Sequence, residues 1–463
     1  MAVPAGGVVR ALSSMQRALY SLLLYLALPL QALRLLWRGW RDPANRHSLR
    51  AHLALGLAPR AESVLWLHAA SVGEVLAVVP LVERLRRGFP GLPLLVTVGT
   101  ATGLAAARQR LPTTTLLPAP WDLPGVARRF MATQKPCAAV FIETELWPNL
   151  LHAASRARLP LLLASARVSA RSTRRYARWA AALMRDTVRT FTWIGAQTPA
   201  DRDRFIALGA DPARVGCAGN LKFDFTPPPA TGGQGAALRA RLAPGRPMWV
   251  AGSTHAADEM ACLSAQRLLQ QQARERRTPA PLLVIAPRRP ERFEEVAASI
   301  VAQGFALQRH SARRAGDGDG IDAQDVEVLL LDAMGELLPY YAAADAVFVG
   351  GSIAVVGGHN LLEPAALGKP VLAGPHTGNA PQVAALLEAA HGLVRVTDAT
   401  TLAGRLGDWF ADPAQARRCG SAAAAVVADN AGATTRVLEA ITAALALQAG
   451  PAAPRPPAPS ASG

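Results

Sequence analysis

Short apolar runs alternate with longer helical patterns along most of this 463-residue chain. In the first half, VLWLHA (64–69), LLVTVGT (94–100) and AAVFIE (138–143) are each followed by a segment of helical periodicity. Short strands separated by helices of ten or more residues indicate βαβ units, whose strands lie parallel in one sheet. The pattern therefore predicts an α/β fold built on parallel sheets.

The alternation stops once and then begins again, which predicts two domains. TPPPATGGQGAA, at 226–237, is rich in Pro and Gly and has no apolar period, so we expect a linker there. We assign residues 61–225 to an N-terminal Rossmann-like domain and 238–448 to a C-terminal one, because 463 residues exceed what one compact core usually holds. Two such domains facing across a cleft would bind ligands beyond the carboxyl ends of their strands. The Pro/Ala/Ser-rich tail, 449–463, is expected to be disordered.

Residues 1–60 carry an apolar segment followed by basic residues. ALYSLLLYLALPLQAL, at 18–33, is uncharged and is flanked by Arg17 and Arg34. Sixteen residues fall short of the roughly 20 that span a bilayer, and a signal peptide or a buried helix also fits the pattern. We favour a membrane anchor, either a short span or a helix in the interface, with the main body on the cytoplasmic side.

The composition narrows the classes of partner. A formal charge of +16 favours an acidic partner such as nucleic acid, an anionic membrane or a phosphorylated substrate. Aromatic residues make up only 5% and do not alternate with basic blocks, which argues against nucleic acid. The four cysteines are far apart and no HExxH-type motif occurs, so the sequence predicts no metal site.

Three polar residues follow strands of the first half. Glu74, in HAASVGE, forms a capping-box pattern with Ser71, so helix capping and a catalytic role both remain open. Glu143 directly follows VFI and is either a cleft carboxylate or a solvated one. Lys222, in GNLKFD, is one of only three lysines and is either a surface residue or an anion contact.

The second half places candidate anion-binding groups after its strands. GSTH (252–255) is a strand-to-helix turn that either caps a helix or offers backbone N–H groups to a phosphate. APRRPERF (286–293) supplies a forked anion contact, and DAMGEL (332–337) offers a carboxylate. VGGSIAVVGGHNLLEP (349–364) combines a glycine turn, a helix start and an acidic residue, which is typical of nucleotide-sugar enzymes, although packing glycines are common.

Taken in order, these motifs resemble those of the 3-deoxy-D-manno-octulosonic acid (Kdo) transferases. HAASVGE, TVGTATG, ETELWPN, SARVSARS, GNLKFD, GSTH, PRRPERF, MGEL and GGHNLLEPA carry the resemblance, which covers about residues 10–445. It implies the GT-B fold, with two Rossmann-like domains and an N-terminal membrane anchor at the cytoplasmic face of the inner membrane. It also implies a metal-independent, inverting enzyme without cofactor that transfers Kdo from CMP-Kdo to lipid IVA, the lipid A precursor.

The resemblance also implies roles for particular residues. Glu74 would be the catalytic base, and the helix N-terminus would keep it ionised, while Glu143 and Lys222 would assist the transition state. Contacts to the CMP of the donor are implied for Pro287, Arg288, Met334, Gly335, Glu336, Asn360, Leu361, Leu362 and Glu363.

A few positions depart from the family pattern. Arg289 replaces the usual His, Ala257 and Asp258 replace Gly and Glu, and aromatic residues are usual at the positions of Gly378 and Ala380. These departures concern the donor pocket and remove no implied catalytic group. The alternatives are another two-Rossmann enzyme, such as a UDP-sugar glycosyltransferase or epimerase, and a membrane-tethered nucleotide-sugar sensor without transfer activity.

Overall fold

The computed structural model describes residues 5–41, 49–315 and 325–449. The chain forms two compact units, one comprising residues up to Asp224 together with those from Asn430 onward, and the other comprising Phe225–Asp429. The expected disorder of the tail concerns residues that, from 450 on, lie outside the described part.

Parallel strands and helices alternate through the first unit, as the sequence predicts. Its helices are α1 (Ala5–Arg41), α2 (Leu49–His52), α3 (Val72–Gly88), α4 (Ala101–Arg110), α5 (Pro124–Gln134), α6 (Pro148–Arg156), α7 (Ala170–Trp179), α8 (Ala181–Arg189) and α9 (Pro199–Ala207). Its strands are β1 (Val64–Ala69), β2 (Leu94–Val98), β3 (Thr115–Pro118), β4 (Pro136–Ile142), β5 (Leu161–Ala166), β6 (Trp193–Ala196) and β7 (Val215–Cys217). A short 3₁₀ turn, Leu221–Asp224, follows β7.

The strands of the first unit form one parallel sheet in the order β3-β2-β1-β4-β5-β6-β7. Successive residues of β1 point to opposite faces, so Trp66 enters one apolar cluster and Leu65 and Leu67 enter another. Both faces are buried, which explains why this strand is a continuous apolar run in the sequence. The order reverses between β1 and β4, the position where open α/β sheets bind their ligands.

The second unit repeats this architecture. Its helices are α10 (Thr231–Leu242), α11 (Ala256–Arg276), α12 (Phe293–Ala302), α13 (His310–Ala315), α14 (Leu337–Ala343), α15 (Leu362–Ala366), α16 (Pro381–Ala389), α17 (Ala399–Ala411) and α18 (Pro413–Asp429). Its strands are β8 (Met248–Thr254), β9 (Leu282–Pro287), β10 (Leu307–Arg309), β11 (Val328–Leu330), β12 (Ala346–Val349), β13 (Val371–Ala373) and β14 (Leu393–Arg395). They pair in parallel in the order β10-β11-β9-β8-β12-β13-β14, with the reversal between β8 and β12. The prediction of two Rossmann-like α/β units is confirmed.

The boundaries differ from the expected ones at two places. The expected linker, 226–237, contains the start of α10, because Gly235 lets that helix pack closely against Ala342 of α14. The sequence assigns residues 238–448 to the C-terminal domain, and the last helix of the chain's described part, α19 (Ala433–Ala449), lies almost entirely in this range. It belongs instead to the first unit, since Val437 and Ile441 are buried in the apolar cluster of α3 and β2.

Helix α1 contains the apolar segment that the sequence analysis interprets as a membrane anchor. Its segment Ala11–Trp37 has a mean hydropathy of 1.6 and is long and apolar enough to cross a membrane, judged by length and composition. One side of the helix packs on the first unit, where Leu24 and Leu28 contact the apolar cluster around Trp66. The remainder of the expected 1–60 segment includes residues 42–48, which lie outside the described part, and α2, which is part of the first unit.

Candidate functional site

Glu74 lies at the carboxyl end of β1, in the first turn of α3. Ser71 is the N-cap of this helix, and its hydroxyl accepts the Glu74 N–H at 3.4 Å. Glu74 Oε1 accepts the Ser71 hydroxyl at 2.9 Å, and Oε2 accepts the Ala70 N–H at 2.7 Å. Each carboxylate oxygen still has acceptor capacity, so the cap leaves Glu74 able to accept a further proton donor.

The environment of Glu74 favours proton uptake. Only 7% of the residue is exposed, and burial raises the pKa of its carboxyl group above the ordinary value. The Ala70 and Ser71 hydrogen bonds oppose this shift, whereas the nearby carboxylates of Glu143 and Glu145 add to it. The helix N-terminus is expected to favour the ionised form of Glu74, but burial acts in the opposite direction and is the largest influence on its pKa.

Glu143 and Lys222 form an ion pair beside the Glu74 loop. Lys222 Nζ lies 2.5 Å from Glu143 Oε1, and both side chains are partly buried. Glu143 adopts the left-handed backbone region, with φ of +62°, directly after β4. Non-glycine residues rarely adopt this conformation, and it is concentrated at functional sites.

The 3₁₀ turn after β7, the edge strand of the sheet, brings Lys222 to this position. The Leu221 N–H donates to Ser165 Oγ at 2.8 Å, and the Lys222 N–H donates to Asn220 Oδ1 at 3.0 Å. A Cβ atom at Gly73 would lie 3.8 Å from Lys222 Cε, an ordinary contact distance, so the lysine side chain lies directly against the Glu74 loop. The three predicted catalytic residues therefore lie together at the β1/β4 reversal of the first sheet.

Two residues of this edge were not singled out from the sequence. His68, on β1, is buried, contacts Thr97 Oγ1 through Nδ1 at 2.8 Å, and places Nε2 3.4 Å from Glu145 Oε2. Trp147 Nε1 donates to the same Glu145 oxygen at 2.5 Å. Burial opposes the charge of Glu145, but the contacts from His68 and Trp147 outweigh it and lower the pKa of this carboxyl. His68 is the one ionisable side chain in the apolar run of β1, and this could have indicated it from the sequence.

The donor-binding residues predicted from the sequence lie in the second unit, after neighbouring parallel strands. Pro287 ends β9, and the Arg288 N–H donates to the Thr254 carbonyl at the end of β8. Met334, Gly335 and Glu336 follow β11, with Glu336 as the N-cap of α14, and Gly335 has a φ of +84° that suits glycine. The Asn360 side chain accepts the Leu362 N–H at 3.1 Å and donates to Glu363 Oε1 at 3.1 Å. These contacts lie at the start of α15, whose N-cap is Leu361.

Two histidines, which were not predicted as site residues, meet at the reversal of the second sheet. Nε2 of His255, after β8, lies 2.9 Å from Nε2 of His359, and the rings stack with an interplanar angle of 9°. One ring donates its N–H and the other accepts it. Burial, followed by the nearby Arg288, lowers the pKa of His359 to about 4. Arg288 thus faces a pair of neutral imidazoles.

Asp258 fixes the glycine-rich loop after β12 to the start of α11. The buried carboxylate accepts backbone N–H groups from His255 at 3.0 Å, Gly351 at 2.7 Å, Ile353 at 3.0 Å and Ala354 at 3.0 Å. Asp258, which departs from the family pattern, therefore has the structural role of holding this loop. Arg289, Gly378 and Ala380 lie in loops after β9 and β13.

Comparison with known proteins identifies the family. The family model described as 3-deoxy-D-manno-octulosonic-acid transferase matches residues 47–225. The 3-deoxy-D-manno-octulosonic acid transferase of Bordetella pertussis is 39% identical over 441 residues, covering 92% of this chain and 99% of the relative. This chain belongs to the Kdo transferase family. A second Kdo transferase, from Haemophilus influenzae, is 33% identical, with 81% of this chain and 86% of the relative covered.

Membership makes the chain a glycosyltransferase that transfers Kdo. Solved structures agree with the fold. A glycosyltransferase from Rickettsia africae, 10% identical, matches 83% of this chain and 99% of its own length with a TM-score of 0.52. A UDP-GlcNAc 2-epimerase from Neisseria meningitidis, 13% identical, matches 82% and 100% with the same TM-score. At these identities the likeness concerns the fold alone.

Within the residues that the structure describes, no group of three or more His, Cys, Asp or Glu side chains is arranged to hold a metal ion.

Proposed function

We propose that this Kdo transferase moves Kdo from CMP-Kdo to lipid IVA with inversion, at the cytoplasmic face of the inner membrane. The observation that carries the proposal is the cluster of Glu74, Glu143 and Lys222 at the ligand-binding edge of the first sheet. A buried carboxylate with a raised pKa beside a lysine–carboxylate pair supports a role in proton abstraction from a hydroxyl.

Glu74 is the proposed general base. In a single displacement, the acceptor oxygen bonds to the anomeric carbon of Kdo while the bond from that carbon to the CMP phosphate oxygen breaks. Glu74 takes the proton of the acceptor hydroxyl, and the bonding pair leaves with CMP. The raised pKa of the Glu74 carboxyl group makes its carboxylate a stronger base.

Lys222 is the proposed positive charge of the acceptor side. The Glu143 carboxylate pairs with the Lys222 ammonium and fixes its position. This pairing also offsets part of the positive charge that Lys222 presents to other groups. Kdo carries a carboxylate, and the displacement develops negative charge on the leaving phosphate, so fixed cations stabilise the transition state. A preorganised lysine and arginine supply that charge without a divalent ion, which is why we propose a metal-independent reaction without cofactor.

The second unit is proposed to bind the CMP of the donor. Arg288, which follows β9 beside the histidine pair, is the proposed phosphate contact, because a guanidinium forms forked hydrogen bonds to phosphate oxygens. Asn360 and Glu363, at the start of α15, are proposed contacts to the nucleoside. The remaining proposed CMP contacts are Pro287, Met334, Gly335, Glu336, Leu361 and Leu362.

A membrane acceptor accounts for the exposed apolar helix and the charge of the chain. Helix α1 presents large apolar side chains, and the formal charge of +16 suits a bis-phosphorylated lipid in an anionic leaflet. The same features support attachment to the inner membrane with the two units on the cytoplasmic side.

Substitution of Glu74 tests the proposal. Mass analysis of the glycolipid formed from CMP-Kdo and lipid IVA should show that Glu74→Gln lowers turnover by about 10²-fold or more, since general-base catalysis contributes about 10²–10⁴. CMP binding should be unchanged. Glu83→Gln, at an exposed position of the same helix, is the matched control and should keep full turnover.

The outcomes separate the alternatives. Normal turnover of Glu74→Gln would show that Glu74 acts only as a helix cap. Protection of the protein by UDP instead of CMP would favour a UDP-sugar enzyme. CMP binding by the wild type with no glycolipid product would favour a sensor.

A further inference from the structure

The side chains of α1 divide into an inner and an outer face along the helix. Leu12, Met15, Leu19, Leu22, Leu23, Leu26, Leu30, Leu33, Trp37 and Trp40 are between 43% and 78% exposed. Apart from the adjacent Leu22 and Leu23, these residues recur every three or four positions, so they form one continuous outer stripe. Ser13, Ser21 and Leu24, on the opposite side, are buried or half-buried.

Polar contacts attach the inner face of α1 to three elements of the first unit. The Tyr20 hydroxyl donates to Asp122 at 2.9 Å, and the Ser21 hydroxyl donates to Asn149 at 3.0 Å. Gln16 Oε1 accepts the N–H of Leu183, on α8, at 2.8 Å.

The carboxylate that holds Tyr20 is itself part of the first unit's framework. Asp122 accepts the backbone N–H groups of Asn149 and Leu150 in the first turn of α6, so it caps that helix. The side chain that holds α1 therefore also stabilises the start of α6.

A helix attached in this way cannot stand upright in a bilayer. A spanning helix needs lipid or apolar protein around it through about 30 Å of hydrocarbon, and buried polar groups there are costly. An upright α1 would carry Asp122, Asn149 and the start of α8 into the hydrocarbon. The outer stripe, in contrast, is about 42 Å long and lies along one side of the unit.

We propose that α1 does not cross the membrane but lies flat in the interface, with its outer stripe in the lipid and its inner face on the first unit. The proposal rests on the membrane attachment included in the proposed function and specifies its geometry. An amphipathic helix in the interface buries its apolar face to the level of the acyl-chain boundary. The first unit is then held at a fixed height and orientation on an anionic leaflet.

Helix α7 supplies the charge that such a surface attracts. Arg171, Arg174, Arg175 and Arg178 are exposed on it, and Trp179, which packs against the Arg178 guanidinium, is 72% exposed. Basic residues near an anionic leaflet are attracted to it, and tryptophan prefers the membrane–water interface.

The position of α7 places these arginines beside α1. Its Tyr176 packs against the same apolar cluster as Leu24 of α1 and interacts electrostatically with Tyr20. The occupant of this combined surface is therefore an anionic bilayer.

Depth measurements along the stripe test the orientation of α1. Leu12, Leu19, Leu26 and Leu33 are each seven residues apart on the outer face, so each can be replaced by Cys and spin-labelled in a Cys137→Ser, Cys217→Ser background. The full chain is reconstituted with vesicles of phosphatidylethanolamine and phosphatidylglycerol. We expect the four labels to report nearly the same shallow depth.

An upright helix gives a different profile, in which depth changes by about 10 Å from one label to the next. That profile would overturn the flat orientation but leave membrane attachment intact. Failure of the labelled protein to bind the vesicles would overturn the attachment itself, and the flat orientation with it.

Charge reversal on α7 tests the rest of the surface. Arg174→Glu with Arg178→Glu should weaken binding to phosphatidylglycerol vesicles by about tenfold or more, and high salt should reduce the difference. Arg108→Glu with Arg110→Glu on α4, which packs on the opposite face of the first sheet, is the matched control and should bind more nearly as the wild type does. Equal loss in both double variants would show a general charge effect and overturn the role of α7.

Discussion

At the scale of single residues, the side chain that caps α3 is also the one proposed as the catalytic base. Ser71 caps α3 by accepting the Glu74 N–H, and the Glu74 carboxylate accepts the Ser71 hydroxyl and the Ala70 N–H, yet burial raises the pKa of this carboxyl group. Neither property excludes the other, because a carboxylate has about four acceptor positions and the cap uses two of them. The capping pattern is visible in the sequence, whereas the burial and the neighbouring carboxylates that raise the pKa of Glu74 are visible only in the structure.

The pH dependence of the reaction belongs to this scale. Glu74 must be ionised to accept a proton, so its raised pKa should place the acidic limb of the kcat/KM profile above the ordinary value for glutamate. Glu143→Gln should move this limb to lower pH, because it removes one of the negative charges that raise the pKa of Glu74.

The measurement is kcat/KM against pH for both proteins, with Glu83→Gln as the control that should leave the limb in place. A limb that moves to higher pH in Glu143→Gln would contradict the assignment of Glu74 as the titrating base.

At the scale of elements, buried carboxylates hold loops in place where the sheets bind ligands. Asp258 joins the first turn of α11 to the loop after β12 through four backbone N–H groups. This loop carries His359 onto His255, so the donor side of the second unit depends on a residue that contacts no nucleotide in the proposal.

Removal of this carboxylate should therefore destabilise the second unit. Asp258→Ala leaves two buried and two partly buried N–H groups without their acceptor, and we expect the free energy of unfolding of this unit to fall by about 3 kcal/mol or more. Chemical denaturation together with hydrogen exchange of β8 and β12 measures the effect.

Asp412→Ala, at an exposed helix start of the same unit, is the control and should cost about 1 kcal/mol. Unchanged protection of the loop in Asp258→Ala would contradict the anchoring role.

At the scale of the whole molecule, the chain returns to its first unit at its C-terminal end. Val437, Ile441 and Ala444 of α19 lie in one buried cluster with α3 and α4. Asp224 accepts the N–H of Gly432 at 2.6 Å and that of Thr434, which fixes the start of α19 to the 3₁₀ turn after β7. The Lys222 turn is thereby stabilised by a helix more than 200 residues further along the chain.

This arrangement makes the first unit sensitive to substitutions near the end of the sequence. Ile441→Ala should destabilise the first unit by about 2–5 kcal/mol, because it leaves a cavity in a fully buried cluster. Hydrogen exchange should show faster opening of β1 and α3, while β8 and β12 keep their protection.

Leu447→Ala, at a position of the same helix that is 85% exposed, should have little effect. Faster exchange confined to the second unit in Ile441→Ala would contradict the assignment of α19 to the first.

The sequence by itself determined the features that depend on local periodicity and local backbone chemistry. The alternation of apolar runs with helical patterns predicted both parallel sheets, and Pro148 at the first position of α6 marked that helix start. The motifs placed Glu74, Glu143 and Arg288 after their strands, and parallel strands bring such positions to one edge of each sheet.

Only the tertiary structure decided which distant residues meet. The pairing of Lys222 with Glu143, the contact of His255 with His359, and the return of α19 to the first unit join residues separated by 79, 104 and more than 200 positions. The exposed face of α1, which is proposed to meet lipid, is decided in the same way, because Asp122 and Asn149 hold its other side. Packing selects these contacts by shape and burial, and neither has a signature in the local spacing of residues.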